Sequence, residues 1–326
     1  MKRREFIGIV GSAAAVWPFA VRAQQPTMPT VGIINAGGGI NRFSVQAVVR
    51  GLSEIGYVVG RNLAIEFRSA EGRWDRVPDL VAELVSRQVD VICAMTTPTA
   101  LAAKAATQTI PIVFMVSGDP VAMGLVTSLN HPERNITGIS NLVTKVLPKR
   151  LELLHELEPT ATSFAFLLNP ENPIHSAAET KELQDAASTL GLRLLILNAS
   201  DQSDLEIAFT TAAREQVGGI IIGSEPTFTV QTDRIVALAA RQAIPAIFAY
   251  SEQSIAGGLV SYGTRLTGAY QLLGNFAGRI LKGEKPADLP VQQVTKIELV
   301  LNMKTAKALG ISFPNALLGR ADEVIE

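Results

Sequence analysis

The chain has 326 residues, 47% of them hydrophobic and 18% charged, with 29 basic residues against 30 acidic ones. A formal charge of −1, with no basic block interleaved with aromatics, excludes nucleic acid as a partner. Apolar residues come in short runs broken by Gly, Pro and charge, which is the pattern of a well-buried soluble protein rather than a membrane-spanning one.

The first residues read Lys2-Arg3-Arg4-Glu5-Phe6-Ile7, then an apolar run over 8–20, then Val21-Arg22-Ala23 before Gln24. A basic start, a short apolar middle and small residues at −3 and −1 of a cut site read as a cleaved secretory signal over 1–23. Arg3-Arg4-x-Phe6-Ile7 also resembles the twin-arginine export motif. The run is shorter than the roughly 20 residues that span a bilayer. Gln24, not Cys, follows the cut, so no lipid anchor is expected and the mature protein is placed in the periplasm as a soluble monomer. The leader holds four basic residues and one acidic one, so its removal takes the charge from −1 to −4. The one cysteine, Cys93, lies in an apolar run; no internal disulfide is expected, and the thiol reads as a small buried hydrophobe.

Past Pro29, short β-type runs alternate with helical patterns. Strands are predicted over 31–34, 63–67, 89–93 and 110–114. Between them, 44–55 carries Val45, Val48, Val49, Leu52 and Ile55 at helical spacing. The segment 75–87 puts Leu80, Val81, Leu84 and Val85 on one face, and 98–107 is a helix opened by Pro98. The same rhythm restarts after Pro148: helices over 149–157, 176–190, 204–216 and 230–242, strands over 163–168, 192–197, 219–222 and 245–248, with Ser203-Asp204 as the cap of the third helix. The tail adds a strand over 257–263, a helix over 267–281, a loop over 285–290 and a strand over 294–301. Such alternation implies two α/β halves, each a parallel sheet covered on both faces with right-handed crossovers.

Several stretches, in order, carry a family resemblance. They are Ser117-Gly118-Asp119-Pro120-Val121 with Gly124-Leu125-Val126, Asn135-Ile136-Thr137-Gly138, and Ala256-Gly257-Gly258-Leu259 with Ser261-Tyr262-Gly263. Gly283 to Val291, Thr295 to Val300, Lys304 to Gly310 and Arg320-Ala321-Asp322-Glu323 follow. The chain resembles the ABC-transporter substrate-binding proteins of the kind that includes tryptophan- and tyrosine-binding members. That resemblance implies the type I periplasmic binding fold, two doubly wound lobes joined at a hinge by three crossovers. It would assign 28–143 plus 255–289 to the N-terminal lobe and 144–254 plus 290–326 to the C-terminal lobe. The implied function is extracytoplasmic capture of a small amino-acid-like ligand in the cleft, closure by hinge motion, and delivery to an ABC permease in the inner membrane.

In open parallel sheets, ligands bind beyond the carboxyl ends of strands. Those ends hold Asn35, Thr96, Thr97, Ser117 and Asp119 in the first half, and Asn169, Asn172, Ser224, Glu225 and Tyr250 in the second. Thr96 and Thr97 open a helix, where hydroxyls and unpaired N–H groups suit a ligand carboxylate; the alternative is plain capping. Asp119 and Glu225 suit a ligand ammonium, although Gly118-Asp119-Pro120 is also a turn in its own right. Asn169 and Asn172 offer donors and acceptors or simply form turns. Tyr250 offers a flat apolar face or packs at the hinge.

Gly37-Gly38-Gly39 lacks the Gly-x-Gly-x-x-Gly spacing, so no dinucleotide cofactor is expected, nor any other. His131, His155 and His175 show no metal-ligand spacing, and no Gly-x-Ser-x-Gly elbow occurs in the mature chain, so an enzyme is not expected. Two alternatives stand beside transport: a binding module that feeds a sensor, and an exported hydrolase or lyase with Asp119 or Glu225 as base.

Overall fold

The structure, a computed structural model, describes residues 28–37, 42–132, 134–141, 143 and 145–326. The expected leader, Gly38 and Gly39 lie outside the described residues. The chain runs β1 (Thr30–Asn35), α1 (Arg42–Glu54), β2 (Ala64–Ser69), α2 (Val77–Ser86), β3 (Val91–Ala94), α3 (Thr97–Ala106), β4 (Ile112–Ser117) and β5 (Ile136–Asn141). It continues with α4 (Leu147–Leu157), β6 (Ser163–Leu168), α5 (Pro173–Leu190), β7 (Arg193–Asn198), α6 (Gln202–Arg214), β8 (Ile220–Ile222), α7 (Pro226–Val230), α8 (Thr232–Arg241), β9 (Ala246–Tyr250), α9 (Ser251–Ile255) and β10 (Val260–Thr264). It ends with α10 (Leu266–Leu281), β11 (Gln292–Val294), β12 (Glu298–Asn302), α11 (Met303–Leu309), α12 (Asn315–Leu318) and β13 (Glu323–Ile325).

Two sheets result, ordered β11-β5-β4-β3-β1-β2 and β13-β12-β10-β9-β8-β6-β7. All neighbours are parallel except β10 and β12. Both sheets share the doubly wound order in which the second strand lies outside the first and the third lies on its other side. Period-two alternation feeds a core on each face. Val31 and Ile33 of β1 pack with Val48 and Leu52 of α1, while Ile34 packs with Leu80 and Leu84 of α2. In β6, Phe164 and Phe166 join Leu151 and Leu154 of α4, while Ala165 and Leu167 join Phe209 of α6. The near-continuous apolar runs of these strands follow from burial on both sides.

Helix α10 belongs with the first sheet, packed along α1. A Cβ at Gly51 would lie 1.9 Å from the Gln271 carbonyl oxygen, and one at Gly274 2.0 Å from that of Val48. Two glycines, one on each helix, let the backbones touch. This contact draws the chain back from β10, in the second sheet, to the first.

The sheets divide the chain differently from the expected lobe boundaries. Residues 260–264, expected in the first lobe, form β10 of the second sheet, paired with β9 and β12. Residues 292–294, expected in the second, form β11, an edge strand on β5. The predicted strand 294–301 is therefore two strands in different sheets, with 295–297 crossing between them. Hydrophobic periodicity marks a strand but not the sheet that receives it. The apolar pattern does not mark strand β5, because Thr137, Ser140 and Asn141 interrupt it. All six of its residues are buried nonetheless. The Thr137 hydroxyl donates to the Leu289 carbonyl (2.6 Å) and that of Ser140 to the Gly118 carbonyl (2.7 Å), so burial leaves neither unpaired. Asp201, rather than Ser203-Asp204, caps α6: its Oδ1 accepts from the Ser203 and Asp204 N–H groups. Among the described residues, no helix is long and apolar enough to cross a membrane.

Candidate functional site

The carboxyl ends of both sheets face one cavity, with about 600 Å³ of unfilled space including its mouth. Asn35 ends β1, Thr96 and Thr97 join β3 to α3, and Ser117 ends β4; all four line the cavity. From the second lobe come Asn172 at the start of α5, Ser224 after β8 and Tyr250 at the end of β9. Seven of the ten expected residues thus meet in one place.

Local hydrogen bonds define what each offers. The Thr96 N–H donates to Thr99 Oγ1 (3.1 Å) and the two hydroxyls lie 3.0 Å apart, so Thr96 caps α3 while its neighbour Thr97 is left on the wall. Asn35 Oδ1 accepts from the Gly37 N–H (3.0 Å) and shapes the turn after β1. Tyr250 bridges the lobes: its hydroxyl lies beside Ser117 of the first and donates to the Ser224 carbonyl of the second at 3.4 Å, while its ring packs in the first-lobe core. Gly37 and Pro226 approach so closely that a Cβ on the glycine would sit 3.0 Å from the proline Cβ. These contacts hold the lobes closed on each other.

Three expected residues do not line the cavity. Asp119 is exposed, and its Oδ1 accepts from the N–H groups of Val121 (2.8 Å) and Ala122 (3.3 Å); turn chemistry is what it performs. Asn169 is buried, accepting from the Glu171 N–H and donating to the Thr227 hydroxyl, which fixes the loop before α5. Glu225 is fully buried behind the wall, accepting from Asn172 Nδ2 at 3.1 and 3.4 Å.

The residues missed from sequence divide into two kinds. Met95, Met115, Leu266 and Tyr270 give the cavity an apolar part. His175 and Glu179 give it a charged support: His175 lines the cavity, with Nε2 3.0 Å from Ser224 Oγ, 3.4 Å from Glu179 Oε1 and 3.8 Å from Glu225 Oε1. Glu179 is fully buried and accepts from both the N–H and the hydroxyl of Ser224. Burial by itself lowers the His175 pKa, but the Glu179 charge, its hydrogen bond and the Glu225 charge together raise it to about 9. Burial raises Glu225 to about 7; the cation of His175 opposes this, and the Glu179 charge adds to it. Glu179 stays below the usual carboxylate range: burial pushes it up, but His175 and the Ser224 hydrogen bond outweigh that. The signal was present as His175-x-x-x-Glu179, one helical turn apart at a helix start that follows a strand.

Arg150 completes the group and is also fully buried. Its Nε donates to the Tyr262 carbonyl (2.8 Å) and its Nη2 to the Val143 carbonyl (3.0 Å), which ties the first crossover to β10. Nearby, the Thr264 hydroxyl donates to Asn141 Oδ1 (2.9 Å) from one lobe to the other. Burial lowers Arg150 to about 10, against the charge of Glu179, so it stays cationic. Cys93 is buried in the first-lobe core, and desolvation pushes its thiol up to about 12. Among the described residues, no group of three or more His, Cys, Asp or Glu is arranged to hold a metal ion.

Residues 39–325 match the family described as ABC transporter substrate binding protein. The tyrosine-binding protein of Clostridioides difficile (strain R20291) is 30% identical over 264 residues, which is 80% of this chain and 74% of that protein. Among solved structures, a conserved domain protein from Vibrio cholerae O1 biovar El Tor superposes with a TM-score of 0.82 at 28% identity. A domain from Streptococcus pneumonia in complex with L-Trp has the same fold, with a TM-score of 0.79 at 24% identity. Each superposition covers 91% of this chain and 99% of the other. A family defined by substrate binding sets aside the hydrolase or lyase alternative, whose bases would have been the turn residue Asp119 and the enclosed Glu225. The type I periplasmic binding fold and the match over nearly the whole chain lead to one assignment: the chain belongs to the ABC transporter substrate-binding protein family.

Proposed function

We propose that the protein is the periplasmic, monomeric binding component of an ABC importer. It captures a small amino acid or related carboxylate by lobe closure and presents it to an inner-membrane permease. The observation that carries this reading is the cavity, where strand ends and helix N-termini of both sheets surround one apolar and one polar part. The polar part includes Thr97 at the N-terminal turn of α3, a favourable place for a carboxylate. Met95, Met115, Leu266 and Tyr270 suit an apolar body. The tyrosine-binding protein of Clostridioides difficile and the Streptococcus pneumonia domain in complex with L-Trp support a solute of this chemistry. The basic-apolar leader supports export. Closure follows from contacts the ligand makes with both lobes at once, since a ligand of equal affinity for open and closed states shifts nothing.

Mass spectrometry of the compound released when purified protein is denatured, followed by a thermal-shift series of amino acids and related carboxylates, tests the reading. A true ligand at 100 times its Kd stabilises the protein by about 2.7 kcal/mol. A series in which no carboxylate raises the Tm removes this ligand class. An extracted compound that the protein has chemically altered removes the carrier reading.

A further inference from the structure

The cavity wall is unequal in charge. Among the described residues that line it there is no Asp or Glu, and the ionisable side chains are His175, Tyr250 and Tyr270. Burial pushes both tyrosine hydroxyls up, so they remain neutral. Among the described lining residues, His175 is therefore the charged group, held as a cation within 3.4 Å of Glu179 and 3.8 Å of Glu225.

The two carboxylates are committed elsewhere. Glu179 Oε1 accepts from the Ser224 N–H and hydroxyl, and its other oxygen is buried without a partner close to where a Gly223 Cβ would sit (3.1 Å). Both Glu225 oxygens accept from Asn172 Nδ2. Asn172, Ser224 and His175 stand between these acids and the cavity. A ligand ammonium taken out of water here finds no carboxylate on the wall, and the nearest full charge on the wall is a like one. A ligand carboxylate finds the reverse: a cation on the second lobe, and on the first the hydroxyl-rich N-terminal turn of α3.

We propose that the preferred ligand is a small organic anion with an apolar body and no ammonium group, and that His175 is the cation that contacts it from the second lobe. The inference rests on the carboxylate-binding reading above and narrows it. It departs from a zwitterionic amino acid at one functional group, so matched compounds test it directly.

Calorimetry on the full mature protein, freed of co-purified solute, compares L-tyrosine with 3-(4-hydroxyphenyl)propionate and tyramine, and L-leucine with 4-methylpentanoate and isoamylamine. In at least one set the desamino acid is expected to bind ten times or more tighter than the amino acid, with no binding of the amine. An amino acid that binds as tightly as its desamino counterpart, or more tightly, overturns the inference and leaves the carboxylate reading standing. Binding by none of the six overturns both. His175→Gln keeps a polar side chain of similar reach without the charge. It is expected to weaken the desamino acid at least tenfold with unchanged circular dichroism; unchanged affinity in a folded variant removes His175 from the ligand.

Discussion

The two lobes share a topology and build opposite kinds of wall. The first lobe presents neutral groups made by local structure: Asn35 shaping a turn, Thr96 capping α3, and Thr97 and Ser117 left facing the cavity. The second presents a charge supported from behind, in which His175, Glu179, Glu225 and Arg150 come from α4, α5 and the loop after β8. A neutral wall tolerates the loss of any one member, because each group was satisfied nearly alone. A buried ionic wall does not, because each charge is the partner of another.

Removal of Glu179 is the severest test of that contrast. Glu179→Ala leaves His175 and Arg150 buried without their shared carboxylate, and a loss of about 3–5 kcal/mol is expected in urea denaturation. A loss below about 1 kcal/mol would make the second wall as tolerant as the first. The pH dependence of stability comes next. His175 is raised from 6.5 to about 9 in the folded state, so its contribution is full below pH 6.5 and disappears as pH rises through 9. Glu225, raised from 4.5 to about 7, gives a second decline between those values, because the folded state holds that proton more tightly. Glu179, lowered, acts in the other direction: its contribution is present above pH 4.5 and is lost as pH falls through its folded value. Between pH 6.5 and 9 the wild type is expected to lose on the order of 2–3 kcal/mol relative to His175→Gln. Parallel stability curves for the two proteins would remove the ionic wall from the account.

The same contrast explains what could be read in advance. Parallel α/β halves, most strands and the strand-end positions were legible, because two-sided burial writes apolar runs and a helix start writes Thr-Thr-Pro. The first-lobe wall followed from strand ends alone. The second-lobe wall did not: Glu225, a strand-end candidate for ligand contact, is a buried support, and His175, which shows no metal-ligand spacing, lines the cavity. Arg150 gave no signal, since it looks like any basic residue on a helix while its partners are carbonyls of Val143 and Tyr262, seven and 112 residues away. Strand β10 was legible as a strand and illegible as a member of the second sheet, because its assignment depends on pairing with β9 and β12.

On the neutral wall, Thr97→Ala is expected to change stability by less than about 0.5 kcal/mol and to weaken a carboxylate ligand by about 1–3 kcal/mol in calorimetry. Unchanged affinity would take the α3 end out of ligand recognition and leave the second lobe as the sole anchor.

The smallest effect separates site from scaffold. Asp119 stands beyond the same strand as Ser117, and by strand-end logic alone the two are equivalent. Yet Ser117 contacts Tyr250 across the cleft, whereas Asp119 is exposed and accepts from Val121 and Ala122 in its own turn. Asp119→Ala should therefore cost about 1 kcal/mol of stability or less, as the loss of a capped turn does, and leave ligand affinity where it was. Ser117→Ala, at the cleft, should weaken binding by removing the hydroxyl that meets Tyr250 when the lobes close. If Asp119→Ala weakens a ligand in calorimetry and Ser117→Ala does not, the wall has been drawn two residues out of place. The distinction is physical: a carboxylate that lies exposed outside the cavity, with one oxygen holding its own turn, does not meet an enclosed ligand, and a hydroxyl on the cavity wall beside Tyr250 reports on closure itself.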